Sequence, residues 1–270
     1  MYSLGFLGAG WMGGALIGGI AERCNQVDCC FFDVSEARCN ELAAAYNATV
    51  KNSIKEVMAD AEGVVIAVKP QVYPSVADEI AAHYKEGQIL ISIMAGVKME
   101  TLGAKLPAYA KIIRLMPNMA MTVGKGVCLL SANPNVTEEE KAHIMSILGV
   151  MGLVKEIPEH LMDAGTAISG SGPAFFYSMV EAMMLGGVKE GFSRNDAMDL
   201  VIHTMKGAAA LLEETGQSAG ALRDQMMSAG GTTVEGVCVL EKGSFRGDVI
   251  DAVAAASRRS KELSGGGSKK

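Results

Sequence analysis

Apolar residues in the first half of the chain fall in short runs separated by amphipathic stretches. Tyr2–Leu7, Val27–Phe32, Gly63–Val68, Gln88–Met94 and Lys111–Met116 read as buried strands. Between them Ser35–Tyr46 and Val72–Tyr84 carry the helical period, with Val72, Val76 and Ile80 on one face. Strand, helix, strand repeated in this way predicts a parallel sheet with helices on both faces. Gly126–Ser131 adds a strand, and Thr137 with Glu140 three residues on forms a capping box that opens a helix. Leu153–Ile157 reads as the last strand.

After Pro158 the strand signals stop. Helices are expected over Pro173–Glu190, over Asn195–Glu214 (started by Ser193 and stopped by Gly216), over Ala219–Met227, over Thr233–Lys242 and over Arg246–Leu263. The change of period puts a boundary near residues 157–162. It divides the chain into an α/β domain over 1–159 and an all-helical one over 160–263, with a Gly- and Ser-rich tail, 264–270, expected to be disordered. The helical half is rich in Ala and Met, which suits close packing and an adaptable interface.

Composition narrows the function classes. The 270 residues are 49% hydrophobic and 20% charged, enough for a sizeable core in one large or two modest domains. A net charge of −6, with the 24 Lys and Arg spread along the chain, argues against a nucleic-acid partner. The six cysteines hold no C-x-x-C pair and the four histidines are scattered, so no metal is expected. Reduced thiols fit a cytoplasmic protein. Leu4–Ala21 is uncharged and long enough to mimic a membrane span, but it lacks a basic start and its glycines have another explanation; no membrane partner is expected.

That explanation is Gly8-Ala9-Gly10-Trp11-Met12-Gly13, a G-x-G-x-x-G directly after the first strand and opening a helix. Gly8 permits the tight turn, Gly10 lets a pyrophosphate approach the backbone, and Gly13 permits close helix–strand contact. The helix start then offers free N–H groups and a positive dipole end. Asp33 lies 20 residues beyond Gly13, where a ribose-binding carboxylate is expected. Such an acid repels a 2′-phosphate; Ser35 and Arg38 are near enough to soften this, unless Ser35 only caps its helix and Arg38 is solvated. Ala67-Val68-Lys69-Pro70 and Ser92-Ile93-Met94-Ala95-Gly96 follow two further strands at the carboxyl edge, where cofactors bind.

Two small-residue turns stand in the helical half. Ser169-Gly170-Ser171-Gly172-Pro173 opens the first long helix. Ala229-Gly230-Gly231-Thr232-Thr233 opens another, and reads either as a capped turn or as an anion nest with two hydroxyls, fit for a small carboxylate.

These motifs, in order, resemble pyrroline-5-carboxylate reductase from end to end: GAGWMG, AVKP, SIMAG, RLMPNMA at Arg114–Ala120, SGSGPAFF at Ser169–Phe176, and SAGGTTVEGVCVLEKGSFR over Ser228–Arg246. The resemblance implies an N-terminal Rossmann-type dinucleotide-binding domain followed by an all-helical dimerisation domain. It implies reduction of 1-pyrroline-5-carboxylate to L-proline by NADPH or NADH, in a homodimer or an oligomer of dimers. The cofactor would lie on Leu7, Gly8, Ala9, Gly10, Trp11, Met12, Gly13, Asp33, Ser35, Asn52, Ala67, Val68, Lys69, Pro70, Ala95 and Gly96. Gly230, Gly231, Thr232, Thr233, Gln225 and Ser171 would bind substrate, the Thr232 and Thr233 amides taking its carboxylate and the catalytic Thr233 hydroxyl addressing the imine nitrogen. The signature helix lies in the dimer domain, so the site is expected to form between two chains. Ala229 stands where the family commonly has proline, and Asp33 where many relatives lack an acid.

Two rivals share parts of this plan. A β-hydroxyacid dehydrogenase of the 3-hydroxyisobutyrate type would carry a Lys and an Asn on the helix after the small-residue turn, and Pro173–Ala182 has neither. A dinucleotide-binding sensor without turnover would not need the intact GGTT segment.

Overall fold

The computed structural model describes residues 1–265. Two compact units part between Gly170 and Ser171, the first also taking in the chain from Ala256 onward.

The first unit is built on eight strands: β1 (Tyr2–Leu7), β2 (Val27–Phe32), β3 (Ala48–Val50), β4 (Gly63–Ile66), β5 (Ile89–Ser92), β6 (Lys111–Pro117), β7 (Gly126–Ala132) and β8 (Gly152–Glu156). Their spatial order is β3-β2-β1-β4-β5-β6-β7-β8. Between them run α1 (Trp11–Arg23), α2 (Glu36–Ala45), α3 (Ile54–Asp60), α4 (Tyr73–His83), α5 (Met99–Gly103) and α6 (Glu138–Gly149), with α7 (Met162–Gly165) after the sheet.

The central strands β4 and β5 are buried at every position, as continuous apolar runs covered on both faces must be. On one face Leu16, Ile17 and Ile20 of α1 meet Ile144, Ile147 and Leu148 of α6 over Phe6 and Phe31. On the other, Val57 and Met58 of α3 join Ala77 and Ile80 of α4 over Val64 and Leu90. Each such side chain contributes about 1.5–3 kcal/mol of burial, so this unit holds its own core.

The sheet departs from the all-parallel pattern at one place: β7 runs antiparallel to β6, and β8 is parallel to β7. The connection 118–125 contains only a 3₁₀ turn, Met119–Val123. It is shorter than the dozen or so residues a parallel crossover requires. The edge strand β3 and helix α3 are further elements beyond the sequence pattern. The capping box is as expected, with Thr137 and Glu140 each satisfying the other's backbone N–H.

The second unit is helical: α8 (Gly172–Lys189), α9 (Arg194–Thr215), α10 (Ala219–Gln225), α11 (Thr232–Lys242) and the first part of α12 (Phe245–Ser264). Ser193 caps α9 and Gly216 ends it in the left-handed region. Few side chains here are buried: Met184 of α8, Ala197 and Val201 of α9, Leu222 of α10, and none on α11 or α12. Tyr177, Val239 and Ile250 are each about two-thirds exposed. Apolar faces of that extent are the mark of an interaction surface.

Of the tail expected to be disordered, Ser264 closes α12 and Gly265 follows in a turn; residues 266–270 lie outside the described residues. Among the described residues no helix is long and apolar enough to cross a membrane.

Candidate functional site

The carboxyl edge of the parallel strands gathers the first group of candidate residues. β1 ends at the buried Leu7, and the chain turns at Gly8 with φ +96°, a conformation that disfavours any side chain. A Cβ on Gly8 would lie 2.9 Å from the Ala67 carbonyl carbon, so only glycine lets the loop lie against the AVKP segment. The two segments are joined by Ala67 N–H donating to the Leu7 carbonyl at 2.8 Å. A Cβ on Gly13 would meet the Gly8 carbonyl oxygen at 2.6 Å, which is the close helix–strand approach. Gly10 differs: nothing lies within 4 Å of the space its Cβ would fill. It is also the N-cap of α1, with no side chain capping it. Open space at an uncapped helix start is what a pyrophosphate requires, so these residues fit a dinucleotide.

Asp33 follows β2 and grips the loop. Its Oδ2 accepts the Ala9 N–H at 2.6 Å and its Oδ1 accepts the Ser35 N–H at 2.9 Å. Ser35 caps α2 through its hydroxyl, which accepts the Arg38 N–H. Arg38 is not merely solvated: its Nε donates to the Ala9 carbonyl at 2.9 Å and its Nη1 pairs with Glu41 at 2.7 Å. The Ala9 residue is thus held by an acid at its N–H and a base at its carbonyl. Asn52, exposed, donates its backbone and side-chain N–H groups to Glu56.

Beyond these lie the remaining loops. Lys69 is exposed, and its carbonyl accepts the Val72 N–H at 2.8 Å where α4 begins. Trp11, largely exposed, donates its indole N–H to the Met119 sulfur at 2.6 Å. The fully buried Ser92 accepts the Met94 N–H, and Ala95 emerges exposed beside Gly96. Cys29 and Cys128 are pushed up to about 12 by burial, so these thiols are inert at neutral pH. Among the described residues no three His, Cys, Asp or Glu side chains converge as metal ligands do.

The second group lies in the helical unit. Ser171 is the N-cap of α8 without a side-chain cap bond. Ser228, Ala229, Gly230 and Gly231 form a turn closed by Gly231 N–H donating to the Ser228 carbonyl at 3.0 Å, with Gly230 at φ +68°. Gly231 is the N-cap of α11, no side chain caps that helix, and Thr232 and Thr233 are exposed as its first two residues. Neither hydroxyl is spent on capping. Gln225, at the end of α10, donates its amide to Gln217 at 2.7 Å.

Two family models match separate stretches of the chain. Residues 159–263 match the family model for pyrroline-5-carboxylate reductase dimerisation, and residues 3–96 match that for coenzyme F420-dependent NADP oxidoreductases. The chain is 39% identical over 262 residues to a pyrroline-5-carboxylate reductase of Synechocystis, covering 96% of this chain and 97% of the relative. It is 34% identical over 267 residues to that of Arabidopsis thaliana, covering 97% and 96%. The chain belongs to the pyrroline-5-carboxylate reductase family. A solved Plasmodium falciparum pyrroline carboxylate reductase with NADP bound superposes at a TM-score of 0.87 with 34% identity, over 97% of this chain and 98% of that one. The Coxiella burnetii pyrroline-5-carboxylate reductase gives 0.90 with 31% identity, over the same shares.

Membership of the pyrroline-5-carboxylate reductase family gives the exposed apolar faces of α8, α11 and α12 their meaning, since they fall in the stretch matching the dimerisation model. It also draws attention to polar residues that the sequence reading passed over. Asn118, from the RLMPNMA block, donates to the Ser169 carbonyl at 2.9 Å and accepts the Val127 N–H at 3.0 Å. It thereby ties β7 to the π-helical turn Thr166–Gly170, a type of irregularity common near functional sites. Arg114 of the same block is only 4% exposed and pairs with Glu159 at 3.2 Å. The block itself was a visible signal; its partners, 45 and 51 residues away, were not.

Proposed function

We propose that the protein reduces 1-pyrroline-5-carboxylate to L-proline with NADPH or NADH. The observation that carries this is the full-length likeness to pyrroline-5-carboxylate reductases at 34–39% identity. The glycine loop agrees with it, having space at Gly10 and an uncapped α1 to receive phosphates.

The residue roles follow from what the substrate needs. The cofactor, when bound, supplies the hydride. Its pyrophosphate is assigned to residues 8–13, its adenosine ribose to Asp33 with Ser35 and Asn52, and its remainder to the loops at 67–70 and 95–96. The N–H groups of Thr232 and Thr233, at a helix start without a side-chain cap, are assigned the substrate carboxylate. The Thr233 hydroxyl accepts from the N–H of the protonated imine, the form whose carbon is most electrophilic. Addition of the hydride at that carbon then yields the neutral ring amine, and no protein acid is required. Holding the carboxylate fixes the ring's orientation, so positioning supplies much of the rate. Ser171 and Gln225 complete the substrate set.

We assign the working unit as a homodimer, able to assemble into an oligomer of dimers, with its sites shared between chains. The unburied apolar surface of α8, α11 and α12 supports this. We place the enzyme in the cytoplasm without a nucleic-acid or membrane partner; its net charge of −6 and six unpaired thiols support that reading.

The deciding experiment is cofactor oxidation dependent on pyrroline-5-carboxylate, with L-proline formed in equal amount. Oxidation of 3-hydroxyisobutyrate with NAD instead would make it a hydroxyacid dehydrogenase. Dinucleotide binding without either turnover would make it a sensor.

A further inference from the structure

Beyond the residues at the carboxyl edge, two consecutive helical turns fix the loop that follows β5 from both sides. After Ser92 the chain passes through Ala95 and Gly96 and enters α5 at Met99. On the α5 side, the Met99 N–H donates to Glu159 Oε1 at 2.8 Å. The same oxygen takes the buried Arg114 guanidinium at 3.2 Å, so Glu159 is itself held in place. On the other side, the backbone of the last turn of α12 lies on Gly96: a Cβ there would sit 3.2 Å from the Leu263 carbonyl carbon and 3.4 Å from Ser264 N. That turn is anchored by Asp163, whose Oδ1 accepts the hydroxyls of Ser260 at 2.6 Å and Ser264 at 2.9 Å. Glu159 and Asp163 are four residues apart in consecutive helical turns, Glu159–Leu161 and Met162–Gly165. All of these groups lie in the first compact unit.

We infer that Glu159 and Asp163 are positioning residues for the dinucleotide, setting the Ala95–Gly96 loop between the start of α5 and the end of α12. Neither touches the cofactor. Each acts through the loop, Glu159 by its grip on Met99 and Asp163 by pressing the last turn of α12 onto Gly96. A loop held at one end only would still close the sheet edge, but its exposed Ala95 would not keep one place against a ligand. Sites lose function when supporting contacts let them move by about 1 Å. The inference rests on the proposed contact of this loop with NADPH or NADH.

Asp163 carries the test, because removing the Glu159 carboxylate would also leave the Arg114 charge unpaired in the core. Calorimetric titration with NADPH and with NADH is expected to show Asp163→Ala weakening the Kd of both by about tenfold, in line with a loosened supporting contact. The KM for pyrroline-5-carboxylate should stay within about twofold, since uniform loss of cofactor binding does not reach it. Asp163→Asn keeps an acceptor oxygen for the two serines and should bind as the wild type does. The double variant Ser260→Ala, Ser264→Ala removes only two hydroxyls, folds whatever becomes of Asp163→Ala, and should weaken Kd to the same extent. A lower Tm with unchanged Kd in the alanine variants would overturn the inference. Ala95→Leu separates it from the reading beneath: if that variant weakens Kd and the Asp163 and serine variants do not, the loop contact stands and the positioning role falls. If Ala95→Leu leaves Kd unchanged, the loop does not meet the dinucleotide and both fall.

Discussion

The carboxylate of Asp33 and the backbone amide of Ala9 lie 2.6 Å apart, so the acid after the second strand is bonded to the glycine loop itself. A carboxylate offers about four acceptor positions, and the Ala9 and Ser35 amides take two of them. The rest remain for the hydroxyls of an adenosine ribose, and the charge remains to repel a 2′-phosphate. Arg38, the nearest cation on α2, is committed to the Ala9 carbonyl and Glu41. We therefore expect kcat/KM with NADH to equal or exceed that with NADPH. Asp33→Ser should move the ratio toward NADPH by about tenfold or more, equivalent to about 1.4 kcal/mol. Because Asp33 also holds Ala9, the variant should lose some affinity for both cofactors. A wild type that strongly prefers NADPH would refute this reading of Asp33.

Thr232 and Thr233 open the same helix, yet their losses should differ. With Gly231 as the N-cap and neither hydroxyl capping, both alanine variants should keep their stability within about 0.5 kcal/mol. Thr233→Ala should lower kcat/KM by about tenfold to a thousandfold, the span of a lost transition-state contact of about 1.4–4 kcal/mol. Its dinucleotide Kd should not change. Thr232→Ala should keep most activity, since its assigned contribution is an N–H that alanine also has. Equal losses in the two variants would remove any special role from the Thr233 hydroxyl.

Ala229 is a stability test built into the same turn. It is the second residue of a turn closed by Ser228 and Gly231, with Gly230 third at φ +68°, the arrangement in which proline is favoured second. Ala229→Pro should raise stability by about 0.4–1 kcal/mol by restricting the unfolded chain. Gly230→Ala should lower it by about 1–2 kcal/mol, the cost of a side chain in the left-handed region. Denaturant unfolding of the two variants should move the midpoint in opposite directions.

Sharing of sites between chains can be tested by mixing two impaired proteins. Gly10→Val places its Cβ where nothing lies within 4 Å, so it should fold while excluding the pyrophosphate. Thr233→Ala should lower kcat/KM by about tenfold to a thousandfold while keeping the cofactor. If each site takes its glycine loop from one chain and its nest from the other, each mixed dimer holds one intact site. Equal mixing with exchange then restores about a quarter of wild-type activity. No recovery after exchange would place both halves of each site in one chain. In parallel, activity should fall on dilution together with the dimer seen by sedimentation.

Legibility in the sequence followed the range of the interactions. Strands and helices whose own residues alternate or repeat were readable, down to Ser193 and Gly216 at the two ends of α9. The glycine loop was readable because strand, motif and acid all lie within the first 33 residues. Helix α3 had a signal that went unread: Ser53 caps it and Glu56 stands three residues on. The three residues of β3 were too few to show a period. The reversal at β7 depended on what the 118–125 connection leaves out, and a pattern of apolar runs does not carry strand direction. Arg38 on Ala9, Asn118 on Ser169 and Asp163 on Ser260 are single side chains meeting partners 29, 51 and 97 residues away. No local rule reaches that far.

The bond between Trp11 and Met119 has a practical consequence for anyone watching this protein in solution. Trp11 is the chain's single tryptophan, and it stands on the glycine loop with its indole against a sulfur atom. Its emission is a native gauge of that one corner, needing no label and confused by no second fluorophore of its kind. The helical unit holds no tryptophan of its own. Its melting has to be followed by circular dichroism.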